Sequence, residues 1–295
     1  MGPLITGIIV KITSSVFYLF SGLIWKKIIP NKVNYHLIFY RTIFSILFSI
    51  LTIVFFNFFP LTDNAYSSFF EVDVYFWLLT LSICFFSFYG LYYFTNALKN
   101  GRYSIVTPFI SSAAVFSFVI SILLYDENIS IFSISAFVVL MLGLAIHQAD
   151  SFKTFRFSKE IYLSILCAFF WGVSFVLYPI PIEKFGIFNF SIILESCVLL
   201  SCIYLLIIKE KKIKPEVINK SEMGLCLIIG LCVAGGNITA NFSLQQIPIY
   251  LNIIISVLFE AAMLVIGIKL FKERLKIRDW FLIVAITLSS ILTFF

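Results

Sequence analysis

Long apolar runs separated by short polar stretches dominate the chain, and they set the predicted elements. Ten runs are legible, at about 4–25, 35–57, 74–98, 103–124, 129–148, 160–181, 188–208, 223–245, 249–271 and 279–294. Most reach the roughly 20 residues that carry an α-helix across about 30 Å of hydrocarbon. A transmembrane β-barrel would instead alternate apolar and polar positions over segments of about 10 residues, and these runs are too long and too uniformly apolar for that. The boundary at 246–249 rests on Pro248 alone. The pattern predicts an all-α membrane protein of ten transmembrane helices, called spans 1 to 10 here.

Composition excludes the alternative of a soluble domain. With 61% hydrophobic and 12% charged residues, there is too little polar residue to cover a water-facing surface. The first run lacks a basic leading region and a small-residue cleavage site, and it ends in Trp25, Lys26 and Lys27; it reads as a retained span with an interfacial anchor. Six cysteines fall inside the apolar runs without metal-ligand spacing, which suits small apolar fillers and no bound metal or other cofactor.

Charge placement orients the spans. Eighteen of the 21 basic residues fall in connections on the side opposite the N-terminus, from Lys26, Lys27 and Lys32 through Lys99, Arg102, Lys153, Arg156 and Lys159 to the clusters at 209–220 and 269–278. The other side holds Lys184 with acidic Asp63, Glu71, Asp73, Asp126 and Glu127. By the positive-inside rule the lysine-rich side is cytoplasmic and both termini lie outside, in a bacterial cytoplasmic (inner) membrane. The net charge of +6 thus reflects topology and gives no reason to invoke nucleic acid.

The chain also resembles itself. An offset of 146 sets Glu127 on Glu273, and an offset of 154 sets Phe17 on Trp171 and Arg41 on Glu195. The halves read as diverged copies of one five-helix unit, with domains at 1–150 and 151–295. Because five is odd, the second copy enters the membrane from the opposite side. Inverted-topology repeats of this kind are the usual architecture of alternating-access carriers, which bind their solute near the midplane between the repeats.

Three short motifs add a family resemblance: Ala168-Phe169-Phe170-Trp171-Gly172, Leu258-Phe259-Glu260-Ala261 and Lys272-Glu273-Arg274-Leu275. Together with the ten spans they resemble the EamA-type ten-helix transporters of the drug/metabolite transporter superfamily. The resemblance covers nearly the whole chain and implies two inverted bundles around a central cavity, with transport of small metabolites, often amino acids or related compounds. It also implies cytoplasmic termini, against which the lysine distribution argues for the reverse. Two positions depart from the pattern: Ala261 stands where the family often has proline, and the first half lacks the Trp-Gly pair.

Polar residues inside the spans nominate the site. Tyr89, Tyr93 and Asn96 share a face of span 3; Asn237, Asn241 and Gln245 share one of span 8; Asn252, Ser256 and Glu260 share one of span 9. Such groups either glue helices together or line a cavity, and the carboxylate ending the third stripe favours lining. The resemblance puts the cavity among spans 1, 3, 4, 6, 8 and 9, with Trp171 joining the tyrosines as apolar and cation-binding faces. Glu260, about eleven residues into its span, sits where ionisation is most costly, and is the candidate for proton coupling. Lys11 and Glu195 lie at matched depths from one side and suggest a buried ion pair, unless Lys11 snorkels. Arg41 and Glu195, by contrast, enter from opposite faces and are not expected to meet. Arg41 is read as reaching toward the lysine-rich face, or as an anion contact at the cavity mouth.

No catalytic signature accompanies these groups. His36 and His147 lie on different spans, and the chain contains no metalloprotease, nucleophile-elbow or phosphate-loop motif. The expected function is a secondary transporter of a small polar or zwitterionic metabolite, monomeric or homodimeric in the lipid bilayer. A channel or uncoupled facilitator is the main alternative, although no repeated filter sequence appears; an intramembrane enzyme is a further one.

Overall fold

The computed structural model describes residues 2–29, 33–58, 72–125, 130–147, 158–273 and 277–292. Lys32, Asp63, Glu71, Asp126, Glu127, Lys153, Arg156, Arg274 and Lys276 lie outside the described residues, as does the side chain of His147.

The chain is all-helical, with α1 (Pro3–Ile28), α2 (Asn34–Phe58), α3 (Val74–Asn100), α4 (Tyr103–Ser111), α5 (Ala113–Tyr125), α6 (Ile131–His147), α7 (Lys159–Leu177), α8 (Pro179–Phe185), α9 (Ile187–Glu210), α10 (Lys220–Gln246), α11 (Ile249–Leu270) and α12 (Ile277–Leu292). Among the described residues, eight stretches are long and apolar enough to cross a membrane, α4 and α5 counting as one; α6 and α12, of 17 and 16 residues, are the remaining two of the ten spans. Two spans depart from the simple picture. Span 4 breaks at Ser112, the hinge between α4 and α5. Span 6 turns at Tyr178 into the short α8, whose two prolines sit at its start.

The packing carries the internal symmetry. Helix α1 packs along α10 as α7 packs along α3; α2 packs on α10 as α9 packs on α3; α2 meets α9, and α6 meets α12. Exchanging α1 with α7, α2 with α9, α3 with α10, α4 and α5 with α11, and α6 with α12 turns this set of neighbours into itself. The 146-residue offset seen in sequence also sets Tyr103, the first residue of α4, on Ile249, the first of α11.

Polarity runs opposite to that of a water-soluble core. Large apolar side chains such as Leu51, Leu123 and Tyr204 face outward, while Ser14, Thr42, Ser45, Ser164, Ser174, Ser191 and Ser243 are buried. In lipid no hydrophobic force drives helices together, so small residues that permit close approach, and hydroxyls that bond across or along helices, hold the bundle. Ser14 Oγ donates to the Gly236 carbonyl at 3.0 Å, joining α1 to α10, and Ser117 Oγ donates to that of Gly172 at 3.1 Å, joining α5 to α7. A Cβ added at Gly230 would lie 2.6 Å from Phe44 Cβ and 2.8 Å from the Arg41 carbonyl oxygen, so this glycine sets how closely α10 approaches α2. The six cysteines are free and buried.

Candidate functional site

A cavity of about 270 Å³ lies between the halves, lined from α1, α2, α3, α4, α5, α7, α9, α10 and α11. Its charged residues are Lys11, Arg41, Glu195 and Glu260, and they resolve into two unlike pairs.

The first pair is a correction. Arg41 Nη1 meets Glu195 Oε2 at 2.5 Å, with both side chains buried, so Arg41 neither snorkels to the lysine-rich face nor stands apart from its repeat mate. Arg41 lies seven residues into α2 and Glu195 eight into α9, from opposite faces. At 1.5 Å per residue these depths are about 10 and 12 Å, leaving about 8 Å of a 30 Å core. Because α2 and α9 are symmetry mates packed against each other, the two side chains point into that gap from either side of the pseudo-two-fold axis and close it. The reach of the two side chains spans what the helix depths leave open.

The network continues. Asn237 Nδ2 donates to Glu195 Oε1 at 3.0 Å, and Tyr18 donates to Asn237 Oδ1 at 2.6 Å. One buried chain thus joins α2, α9, α10 and α1. It also corrects the role given to Lys11: both Glu195 oxygens are taken by Arg41 and Asn237, and Lys11 interacts electrostatically with Glu260 instead.

The second pair is open. Glu260 Oε2 and Asn252 Nδ2 are buried without a hydrogen-bond partner among the described residues, as is Thr107 Oγ1 across from them on α4. Asn252 Oδ1 accepts from Ser243 Oγ at 2.8 Å, which fixes the amide, and Ser256 donates to the Asn252 carbonyl at 3.0 Å. A buried polar atom without a partner costs free energy. Thr107, Asn252 and Glu260, with Lys11 in the same cavity, therefore form a polar patch with unused hydrogen-bonding capacity, distinct from the bonded Arg41–Glu195 chain, in which Arg41 Nε also lacks a partner among the described residues.

The other nominated residues divide. Trp171 lines the cavity and donates from Nε1 to the Ser87 carbonyl at 3.2 Å, while Ser87 Oγ bonds the Tyr178 hydroxyl at 2.6 Å. Tyr89, Tyr93 and Asn96 do not line it: Tyr89 is 40% exposed, Tyr93 stacks on Phe170 at 5.6 Å, and Asn96 Nδ2 donates to its own helix at the Tyr92 carbonyl. The cavity face of α3 is Ser87, Leu91 and Phe94. That stripe has the same spacing as Tyr89, Tyr93 and Asn96 but is displaced by two residues, or about 200° around the helix. Asn241 is glue, donating to Ser191 Oγ at 3.0 Å between α10 and α9. Trp25, expected as part of an interfacial anchor, is instead buried and lines the cavity with Tyr18: Lys11, Ser15, Tyr18, Gly22 and Trp25 recur along one face of α1.

Two inverted helical repeats enclosing a mostly apolar cavity that holds four charged side chains define a polytopic membrane protein. The sequence model of the EamA-like transporter family matches the chain twice, over residues 5–147 and 158–295, and the chain belongs to that family, one of membrane transporters. A solved crystal structure superposes with a TM-score of 0.67 at 14% identity, covering 97% of this chain and 96% of the other; at that identity the likeness speaks for the fold. No curated protein sequence matches.

Proposed function

We propose that the protein is a secondary transporter that moves a small polar or zwitterionic metabolite, an amino acid or related compound, by alternating access of the cavity to the two membrane faces. The observation that carries this reading is the patch of Thr107, Asn252 and Glu260, each with a buried polar atom lacking a hydrogen-bond partner among the described residues, with Lys11 lining the same cavity. A dipolar solute supplies a cation for Glu260 and an anion for Lys11, while Asn252 offers an N–H. Trp171 contributes an apolar face. Glu260 is the proposed coupling residue, since it lines the cavity without the arginine partner that holds Glu195. Localisation follows the lysines: the basic loops face the cytoplasm and both termini the outside.

The test is uptake into proteoliposomes across a pH gradient. Glu260→Gln is expected to abolish gradient-driven accumulation while substrate exchange persists; accumulation and pH dependence unchanged from the wild type would remove Glu260 from the coupling role.

A further inference from the structure

We propose that Glu273 is a latch between the repeats that closes the cavity at its lysine-rich end. Glu273 belongs to the loop after α11, in the second half of the chain. Its Oε1 accepts the Tyr103 amide at 2.8 Å and its Oε2 the Ser104 amide at 2.9 Å. These are the first two amides of α4, in the first half. Helix α4 has no cap of its own, because Arg102 at the N-cap position makes no side-chain bond to it. Its opening turn therefore depends on a carboxylate about 170 residues away in sequence. Two amide bonds and the positive end of the α4 dipole favour that carboxylate.

The receiving turn is itself held in place. Lys26 Nζ, at the end of α1, donates to the Leu98 carbonyl at 2.8 Å and the Gly101 carbonyl at 2.6 Å, and it interacts electrostatically with Glu273. At Gly101 a Cβ would fall 2.9 Å from the Ala97 carbonyl oxygen and 3.0 Å from Glu160 Cβ, so only glycine lets the turn between α3 and α4 sit this close to α7. Tyr103 is fully buried, and its ring lies 5.4 Å from that of Phe271.

The position of these contacts gives them their role. The cavity-lining residues of α1, α3 and α11 nearest this face are Trp25, Phe94 and Met263, which precede Lys26, Gly101 and Glu273 in the chain. For solute to leave through this end, α4 and α11 must separate beneath that floor, and that separation breaks the two bonds that Glu273, in the loop after α11, makes to α4. Water replaces both partners once they are exposed, so the latch biases the closed end without sealing it.

The experiment measures the opening itself and needs no substrate, so it stands whether or not the transport reading does. Spin labels at Lys99→Cys and Lys269→Cys, in the full-length protein in lipid nanodiscs, report the distance across this end by double electron–electron resonance; the native cysteines are buried. Losing one interhelical cap should raise the population of the longer-distance state about fivefold in Glu273→Gln. Lys26→Met should shift it in the same direction, and Glu183→Gln, at the opposite end, should leave it at the wild-type level. An unchanged distance distribution in a folded Glu273→Gln protein overturns the proposal. Should that variant fail to fold, Glu273→Asp carries the test: a partial shift supports the latch and no shift refutes it.

Discussion

Breaking the Arg41–Glu195 pair is the perturbation whose size follows most directly from the structure. Both side chains are nearly fully buried, at 3% and 2% exposure. Arg41→Gln leaves a carboxylate in the core with Asn237 as its remaining donor, and removing one partner of a buried ion pair costs about 3–5 kcal/mol. Glu195→Gln strands the guanidinium, whose Nε already lacks a partner among the described residues, and should cost a similar amount. The double variant, Arg41→Gln with Glu195→Gln, removes both charges, leaving an amide of the same shape at 195 within reach of Asn237 and a shorter one at 41. It should therefore be destabilised by less than the sum of the two, with a coupling energy of about 2–3 kcal/mol. Equilibrium unfolding in mixed detergent micelles, followed by circular dichroism, supplies the four free energies. Additive losses, with no coupling, would refute the pair as a stabilising contact.

Two further outcomes test the packing and the orientation. Gly230→Ala places a methyl against the α2 backbone and Phe44, so it should destabilise the protein by about 1–3 kcal/mol, whereas Gly224→Ala, with nothing nearby, should not; equal unfolding midpoints for the two would count against close α2–α10 packing. A reporter fused after Phe295 that is active only outside the cytoplasm should be active, and a cytoplasmic C-terminus would overturn the orientation drawn from the lysines.

The fold was legible in the sequence because span length and the five-helix repeat are properties of the main chain and its periodicity. The span boundary at Pro248 coincides with the break between α10 and α11, because a proline lacking an N–H cannot continue the helix behind it. The site was legible only in part. Glu260, Asn252 and Ser256 share a stripe whose lining role depends on one helix face, and that face is the one α11 turns inward. The same stripe logic misled on α3, where Tyr89 and Tyr93 form an aromatic stack with Phe170 on the side away from the cavity. Periodicity tells which residues share a face, and not which neighbour that face meets. Arg41 and Glu195 show a different limit: their depths in the membrane were readable, but their meeting depends on α2 and α9 lying side by side, which no single-helix pattern records. The Glu273 latch needs the same long-range information, since its partners are backbone amides and leave no trace in residue identity.

The central claim is that the cavity between the repeats carries a solute across the membrane. Counterflow in proteoliposomes tests it most directly: with unlabelled amino acids trapped inside, a labelled member of the same mixture is added outside without any ion gradient. The account predicts a transient, saturable overshoot of label that is lost in the Asn252→Ala, Glu260→Ala double variant. Linear, non-saturable influx would mark a channel, conversion of the label into a new compound would mark an enzyme, and either result would contradict it.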